Sequence, residues 1–325
     1  MLNRITAAVF SSALALSLGL AAFSASAQQE IRLGYSSINP ETRIAKDKGW
    51  IEEALKPKGV TVKWVESLGS NKSLEFLRGK AVDIASTSSA SAFLARANGT
   101  PIKFVYWTGR NAHGAPILVR HDAPYKSIND LRGKKIAATP GTGPYISLIA
   151  ALHKHGLTDK DVDIVSLQHA QGRLALAAGR VEAWAALEPD WTIAEVQTKA
   201  RVLFVDKSLA GGGGLNVREE YLKANPEIVK IVLAQFNRAR VFTKQNPEQA
   251  IKDFAESSKI DIDVARRVFE RQLQQDDNPE IVAKDAADLA YWGELYKKLG
   301  SVPADTDVNA VVKAVLEPGF YKSAD

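Results

Sequence analysis

The chain has 325 residues, 46% of them hydrophobic, one methionine and no cysteine, and a formal net charge of +5 at pH 7. Without cysteine there is no disulfide framework, no thiol nucleophile and no cysteine to carry a lipid, so the fold rests on core packing. The basic excess is spread through ordinary helical segments such as 219–230, with no Lys/Arg block, and gives no footprint for nucleic acid.

In chain order, residues 1–27 read as a signal peptide. Arg4 supplies the positive start, 7–23 is an apolar stretch rich in Ala and Leu, and Ala25-Ser26-Ala27 offers a small-residue cleavage site before Gln28. Ser11, Ser12, Ser17 and Gly19 dilute the apolar stretch and no second hydrophobic span follows, which argues against a membrane anchor. Its removal takes away Arg4 and no acidic residue, so +5 becomes +4 over the remaining 298 residues. That length suits two domains, and a free, monomeric, exported protein of the periplasm is expected.

Apolar runs of strand length stand at 31–35, 60–65, 83–86, 103–106, 116–119, 135–138, 163–166, 183–186 and 201–204, with helical periodicity between them. Such alternation predicts an α/β protein with mainly parallel sheets covered by helices. From Glu219 onward the strands stop, and helices are predicted over 226–245, 247–256, 263–274 and 284–299. The glycine run 211–214 reads as a flexible connection between domains.

Ligands of open α/β sheets sit beyond the carboxyl ends of strands, so the loops there are the candidates. In P-G-T-G-P-Y (140–145) a strand ends and a helix begins near Pro144; the free N–H groups and positive dipole end of that helix favour an anion at Thr142, Gly143 and Tyr145. Ser36 and Ser37 precede Asn39-Pro40, which doubles as a helix start. Ser86, Thr87, Ser88 and Ser89 form the densest group of hydroxyl donors in the chain, with capping as their plainer use. Arg110 and His113 stand where they would add positive charge, or equally serve as a surface charge and a turn residue. Glu188 and Asp190 flank Pro189, suited to orienting donors, meeting an amino group or capping a helix. Tyr35, Trp107, Tyr145 and Trp191 are candidate apolar walls, of which at most two are expected at a ligand.

Enzyme readings find little support. The five histidines form neither H-x-x-x-H nor H-E-x-x-H, there is no G-x-S-x-G elbow, and G-T-G-P-Y lacks the full dinucleotide fingerprint. Neither metal nor cofactor is expected.

The ordered set I-R-L-G-Y-S-S (31–37), A-K-D-K-G-W-I-E (45–52), F-L-R-G-K-A-V-D-I-A-S-T (76–87), S-I-N-D-L-R-G-K-K-I-A (127–137), A-A-G-R-V-E-A-W (177–184) and E-P-D-W (188–191) resembles periplasmic solute-binding proteins of ABC importers. In particular it resembles the aliphatic sulfonate and taurine binders, whose relatives include nitrate and pyrimidine binders. The resemblance implies a type II two-lobed fold, with lobe one from 28–115 and 214–325 and an inserted lobe two from 116–213. It further implies a small organic anion held at the serine loop and the facing loop at Thr142, and an ABC permease as partner. Leu187 departs from the aromatic those binders often carry before the acidic residue. A nitrate or pyrimidine-precursor binder, or a ligand-occupied sensor partner that does not transport, would share the same fold.

Overall fold

The computed structural model describes residues 29–36, 39–110, 114–209 and 211–323. The signal peptide read over 1–27, and the candidates Ser37 and His113, lie outside the described residues. The first half of the described chain runs β1 (Gln29–Tyr35), α1 (Pro40–Asp47), α2 (Trp50–Leu55), β2 (Val60–Glu66), α3 (Ser70–Arg78), β3 (Ile84–Ser88), α4 (Ser89–Ala97) and β4 (Ile102–Gly109). The chain then crosses to β5 (Ile117–Val119), β6 (Lys135–Ala138), α5 (Gly143–Lys154), β7 (Asp163–Ser166), α6 (His169–Ala177), β8 (Ala183–Ala185), α7 (Asp190–Thr198) and β9 (Arg201–Phe204). It returns through β10 (Gly213–Arg218) to α8 (Glu219–Ala224), α9 (Pro226–Gln245), α10 (Pro247–Ser258), α11 (Ile262–Gln272), α12 (Ala283–Lys298) and α13 (Val308–Val315).

Two five-stranded sheets result, in the orders β2-β1-β3-β10-β4 and β7-β6-β8-β5-β9. The plan is the same in each. β1 pairs in parallel with β2 and β3, and β6 with β7 and β8, while the strand that arrives from the other sheet, β10 or β5, enters antiparallel to both its neighbours. The sheets are therefore mixed, mainly parallel with one reversed strand each.

β10 is a correction to the reading of 211–214 as a flexible connection. Gly213 and Gly214 belong to a central strand, in which Leu215, Asn216 and Val217 are all fully buried. A Cβ on Gly214 would lie 2.0 Å from Phe104 Cζ and 2.5 Å from the Tyr106 carbonyl oxygen, so close packing of β10 on β4 requires glycine there. Gly214→Ala should accordingly cost about 1–3 kcal/mol as overpacking. A lowered urea midpoint at unchanged m-value is the expected reading, and a wild-type midpoint would contradict this packing.

Helix patterning explains the layers. In α11, Val264, Ala265, Val268 and Phe269 recur at three- and four-residue spacing and are all buried. They join α1, α2, α9 and α10 on one face of the first sheet. On its other face Phe93 of α4 stacks on Tyr296 of α12 at 5.8 Å, and the same apolar cluster continues through Trp292 into Ile136, Leu148 and Leu152 of the second sheet's layer. A third cluster, around Leu118, Trp184 and Trp191, lies under α6 and α7. At about 25 cal/mol per Å² of apolar surface removed from water, burial in these layers supplies the main driving force for folding.

Candidate functional site

The carboxyl ends of the parallel strands in both sheets open on one cavity of about 210 Å³. Four helices begin at its wall. Asn39 and Pro40 open α1, Gly69 and Ser70 open α3, Ser88 and Ala90 open α4, and Gly143 and Pro144 open α5, and all of these residues line the cavity. Each N-terminus brings the positive end of a helix dipole and those first-turn N–H groups that no cap takes, an arrangement that favours an anion without a lysine in the wall.

Hydroxyl groups crowd the same end. Ser36, Ser70, Ser73, Ser86, Thr87, Ser88, Thr108 and Ser147 line the cavity. β3 runs straight into α4, so Thr87 and Ser88 are strand residues and not the loop expected from the sequence. Ser88 Oγ caps α4 by accepting from Ser91 N at 3.1 Å and donates to Ser91 Oγ at 2.6 Å; its amide donates to Ser70 Oγ at 3.0 Å. Thr87 Oγ1 accepts from Asn216 Nδ2 at 2.8 Å and donates to the Ser88 carbonyl at 3.0 Å. Capping and cavity lining coincide at Ser88, because both uses exploit the start of the same helix.

The two sides of the cavity touch. Ser91 Oγ donates to the Gly141 carbonyl at 3.0 Å, and a Cβ on Gly143 would lie 3.3 Å from Ser88 Cβ. His169, buried at the start of α6, faces Gly69 from the other side; burial pushes its imidazole down to about 4, so it is neutral in neutral solution.

Opposite the serines, Glu188 and Arg271 are the charged side chains of the wall, and they pair. Arg271 Nη1 donates to Glu188 Oε1 at 2.6 Å and to Thr192 Oγ1 at 2.7 Å, and Arg271 also pairs with Glu195. Its guanidinium lies 3.8 Å from the centre of the Trp191 ring, whose Nε1 donates to Glu195 Oε1 at 2.7 Å. Burial opposes the charge on Arg271, but Glu188 and Glu195 outweigh it and leave the pKa above its ordinary value. Trp191, Val268, Trp292 and Ile146 supply apolar wall.

Of the residues expected from the sequence, Ser36, Ser86, Thr87, Ser88, Gly143 and Glu188 line the cavity. Ser89 is instead buried beside the glycine run, its amide donating to the Gly212 carbonyl at 2.9 Å. Thr142 is buried with its hydroxyl donating to the Thr139 carbonyl at 2.7 Å, so it shapes the turn and does not face the cavity. Tyr145 points from α5 into the core layer, and Asp190 takes a bond from Arg173 Nε at 2.7 Å that ties α6 to α7. Arg110 chelates Asp285 through Nε at 3.0 Å and Nη2 at 2.9 Å over the Trp107 ring, fastening the end of β4 to α12. Of the four aromatic candidates only Trp191 reaches the cavity among the described residues.

Arg271, Gln272, Val268 and Trp292 were not anticipated, because they come from the helical tail, remote in sequence from every strand end. The signal for Arg271 is present all the same: it continues the stripe Val264, Val268, Arg271 at helical spacing, a cation on an otherwise apolar face.

Two mixed sheets of identical strand order, facing across a cavity ringed by helix N-termini, define a periplasmic-binding-protein fold. The chain belongs to the NMT1/THI5-like family, whose match spans residues 42–250. It is 28% identical over 295 residues to a Bacillus subtilis (strain 168) protein named for binding aliphatic sulfonates, covering 89% of each chain. A likewise named Escherichia coli (strain K12) protein is 28% identical over 296 residues, 88% of this chain and 92% of the other. Among solved structures, the alkanesulfonate-binding protein SsuA from Xanthomonas axonopodis pv. citri, bound to MOPS, superposes with a TM-score of 0.80 at 24% identity, covering 89% of this chain and 98% of that one.

Proposed function

We propose that the protein is the substrate-binding component of an ABC importer, which captures an aliphatic sulfonate in the periplasm and delivers it to the permease. The observation that carries this reading is the convergence of the α1, α3, α4 and α5 N-termini on a hydroxyl-lined cavity whose charged wall residues already pair with each other. A sulfonate is a strong acid, unprotonated at neutral pH, that accepts hydrogen bonds and donates none. Hydroxyls and helix N–H groups are the matching donors, with Ser36, Ser86, Ser88 and the Gly143 turn nearest to the head group. Its alkyl tail has Trp191, Val268 and Trp292 to lie against. The names of the curated relatives point to the same ligand class.

In this reading residues 28–115 with 214–325 form one lobe and 116–213 the other. A ligand held by both lobes binds the closed form better and shifts the population toward it, so no covalent step is needed. Calorimetry on the mature protein, freed of ligand by unfolding and refolding, should find saturable binding of ethanesulfonate or a longer alkanesulfonate. Binding of nitrate or a pyrimidine precursor with no sulfonate bound would keep the fold and overturn the ligand. Ser88→Ala, which strips the α4 cap from the cavity wall, should weaken sulfonate binding by about 0.5–2 kcal/mol. Thr142→Ala, whose hydroxyl is committed to Thr139, should leave affinity near wild type. The reverse ranking would displace the head-group site toward the α5 turn.

A further inference from the structure

Behind the cavity lies a second chamber of about 70 Å³. Thr108, Gly109, Gln272 and Gln275 line both spaces, so the two adjoin along these residues. Gln275 rests on bare backbone: a Cβ on Gly109 would lie 2.3 Å from its Oε1. On the far side stands Glu41, which follows the cavity-lining Pro40 and is only 5% exposed.

Two polar atoms at this chamber lack a partner among the described residues, Glu41 Oε2 and Gln272 Oε1. The bond that joins the two side chains, Gln272 Nε2 to Glu41 Oε1, is long at 3.4 Å. Burial, against the pull of Arg240, pushes the Glu41 carboxyl up to about 8, so at neutral pH it carries a proton. A carboxylic O–H with nothing to donate to and an amide oxygen with nothing to accept from thus border one small space. A hydroxyl group, at once acceptor and donor, satisfies both. Charge selects against the alternatives. Arg240 and Lys244 also line the chamber and share a single carboxylate, Asp277, leaving a net positive environment that repels an ammonium group. A second anionic end would have to lose its hydration shell to enter. At about 70 Å³ the chamber exceeds the roughly 30 Å³ that one water molecule takes up in the liquid, so it has room for a hydroxymethyl end.

The geometry points to a two-compartment ligand site, in which the chamber behind Gln272 and Gln275 receives the hydroxyl-bearing far end of a short sulfonate and holds it between Glu41 and Gln272. This rests on the sulfonate reading above. The test is calorimetry of the full mature protein with propane-1-sulfonate and its 3-hydroxy, 3-amino and 3-carboxy-terminated analogues of matched length. The hydroxy compound should bind about fivefold tighter than the parent, the worth of one well-made hydrogen bond, and the amino compound more weakly than the parent. Glu41→Met should abolish the hydroxyl advantage, whereas Glu41→Gln, which keeps an N–H donor, should retain it. Equal affinity of hydroxy compound and parent in the wild type, tighter binding of the amino or carboxy compound, or an advantage that survives Glu41→Met would each overturn the assignment. The wild-type comparison decides the matter even should Glu41→Met not fold. Binding of the parent without a hydroxyl advantage removes the chamber alone, while silence toward the whole panel removes the sulfonate reading and the chamber's ligand with it.

Discussion

Arg271→Ala should open the ligand-free protein and weaken sulfonate binding by about 1–3 kcal/mol, five- to 150-fold, the usual span of a coupling free energy. Arg271 sits on α11, whose apolar stripe is buried with the first sheet's helices, and its guanidinium reaches α7 of the second sheet. It joins Glu188, Thr192 and Glu195 and stacks on Trp191 at 3.8 Å, which makes it a latch between the two halves as much as a wall of the cavity. The side chains are about one-fifth exposed, at 21%, 18% and 19% for Arg271, Glu188 and Glu195, so the pairing is neither screened like a surface bridge nor as costly to break as a sealed one. Removing the cation leaves Glu188 and Glu195, both held at α7, partly buried without their counter-ion, and separating α7 from α11 lets water solvate them. Arg271→Lys should fall between, since an ammonium neither bridges two carboxylates in one plane nor stacks on the indole. Small-angle scattering of the ligand-free variants should register a larger radius of gyration for Arg271→Ala. Dimensions and affinity both equal to wild type would show that Arg271 is no latch.

The largest effect on folding is expected at Asp83, which is fully buried just before β3. Its Oδ2 accepts from Arg32 N at 2.7 Å and Arg32 Nε at 3.2 Å, while its Oδ1 accepts from Arg32 Nη2 at 2.9 Å and also receives Arg218. One carboxylate thus ties β1, β3 and the end of the reversed strand β10. Asp83→Ala leaves the guanidinium of Arg218, itself only 8% exposed, facing another cation without the anion between them. Breaking a buried pair from one side costs about 3–5 kcal/mol, a large share of the 5–15 kcal/mol that holds a typical domain together. The urea midpoint should fall accordingly, and Asp83→Asn, which still accepts from the Arg32 amide, should lose less. Arg32→Ala should cost less again, because the Arg32 side chain is 31% exposed and Arg218 still satisfies the carboxylate. A midpoint within error of wild type for Asp83→Ala would refute the account of how β10 is held.

Apart from β4, which runs three residues beyond the expected 106, the predicted strands were legible to within two residues, and the long helices of the tail were equally plain. The predicted 226–245 coincides with α9, and 284–299 lies one residue off α12. β10 escaped notice for a physical reason: G-G-L-N-V-R opens with two residues that have no side chain and carries a buried Asn, so neither apolar density nor alternation marks it. Glycine there answers to Phe104 and Tyr106 of a strand more than a hundred residues earlier. Local chemistry likewise identified Ser88 and Gly143 as helix starts, and those starts are at the cavity. Where a hydroxyl ends up is not local: Ser88 and Thr142 look alike in sequence and each gives its hydrogen to a nearby acceptor, Ser91 Oγ and the Thr139 carbonyl, yet Ser88 lines the cavity and Thr142 does not. Arg110 and Asp190 were plausible ligands by charge and position, and distant partners, Asp285 and Arg173, claim them.

The sequence by itself determined the α/β class, the places where helices begin at strand ends and so the anion-favouring character of the site, because propensity, capping and dipole act over a few residues. The tertiary structure alone decided which of those ends meet, that β10 and β5 run backwards through their sheets, and that Arg271 borders the cavity and Glu41, from the opposite end of the chain, the chamber behind it. Such pairings are settled by packing and by the search of buried polar groups for partners, and both act through space regardless of distance along the chain.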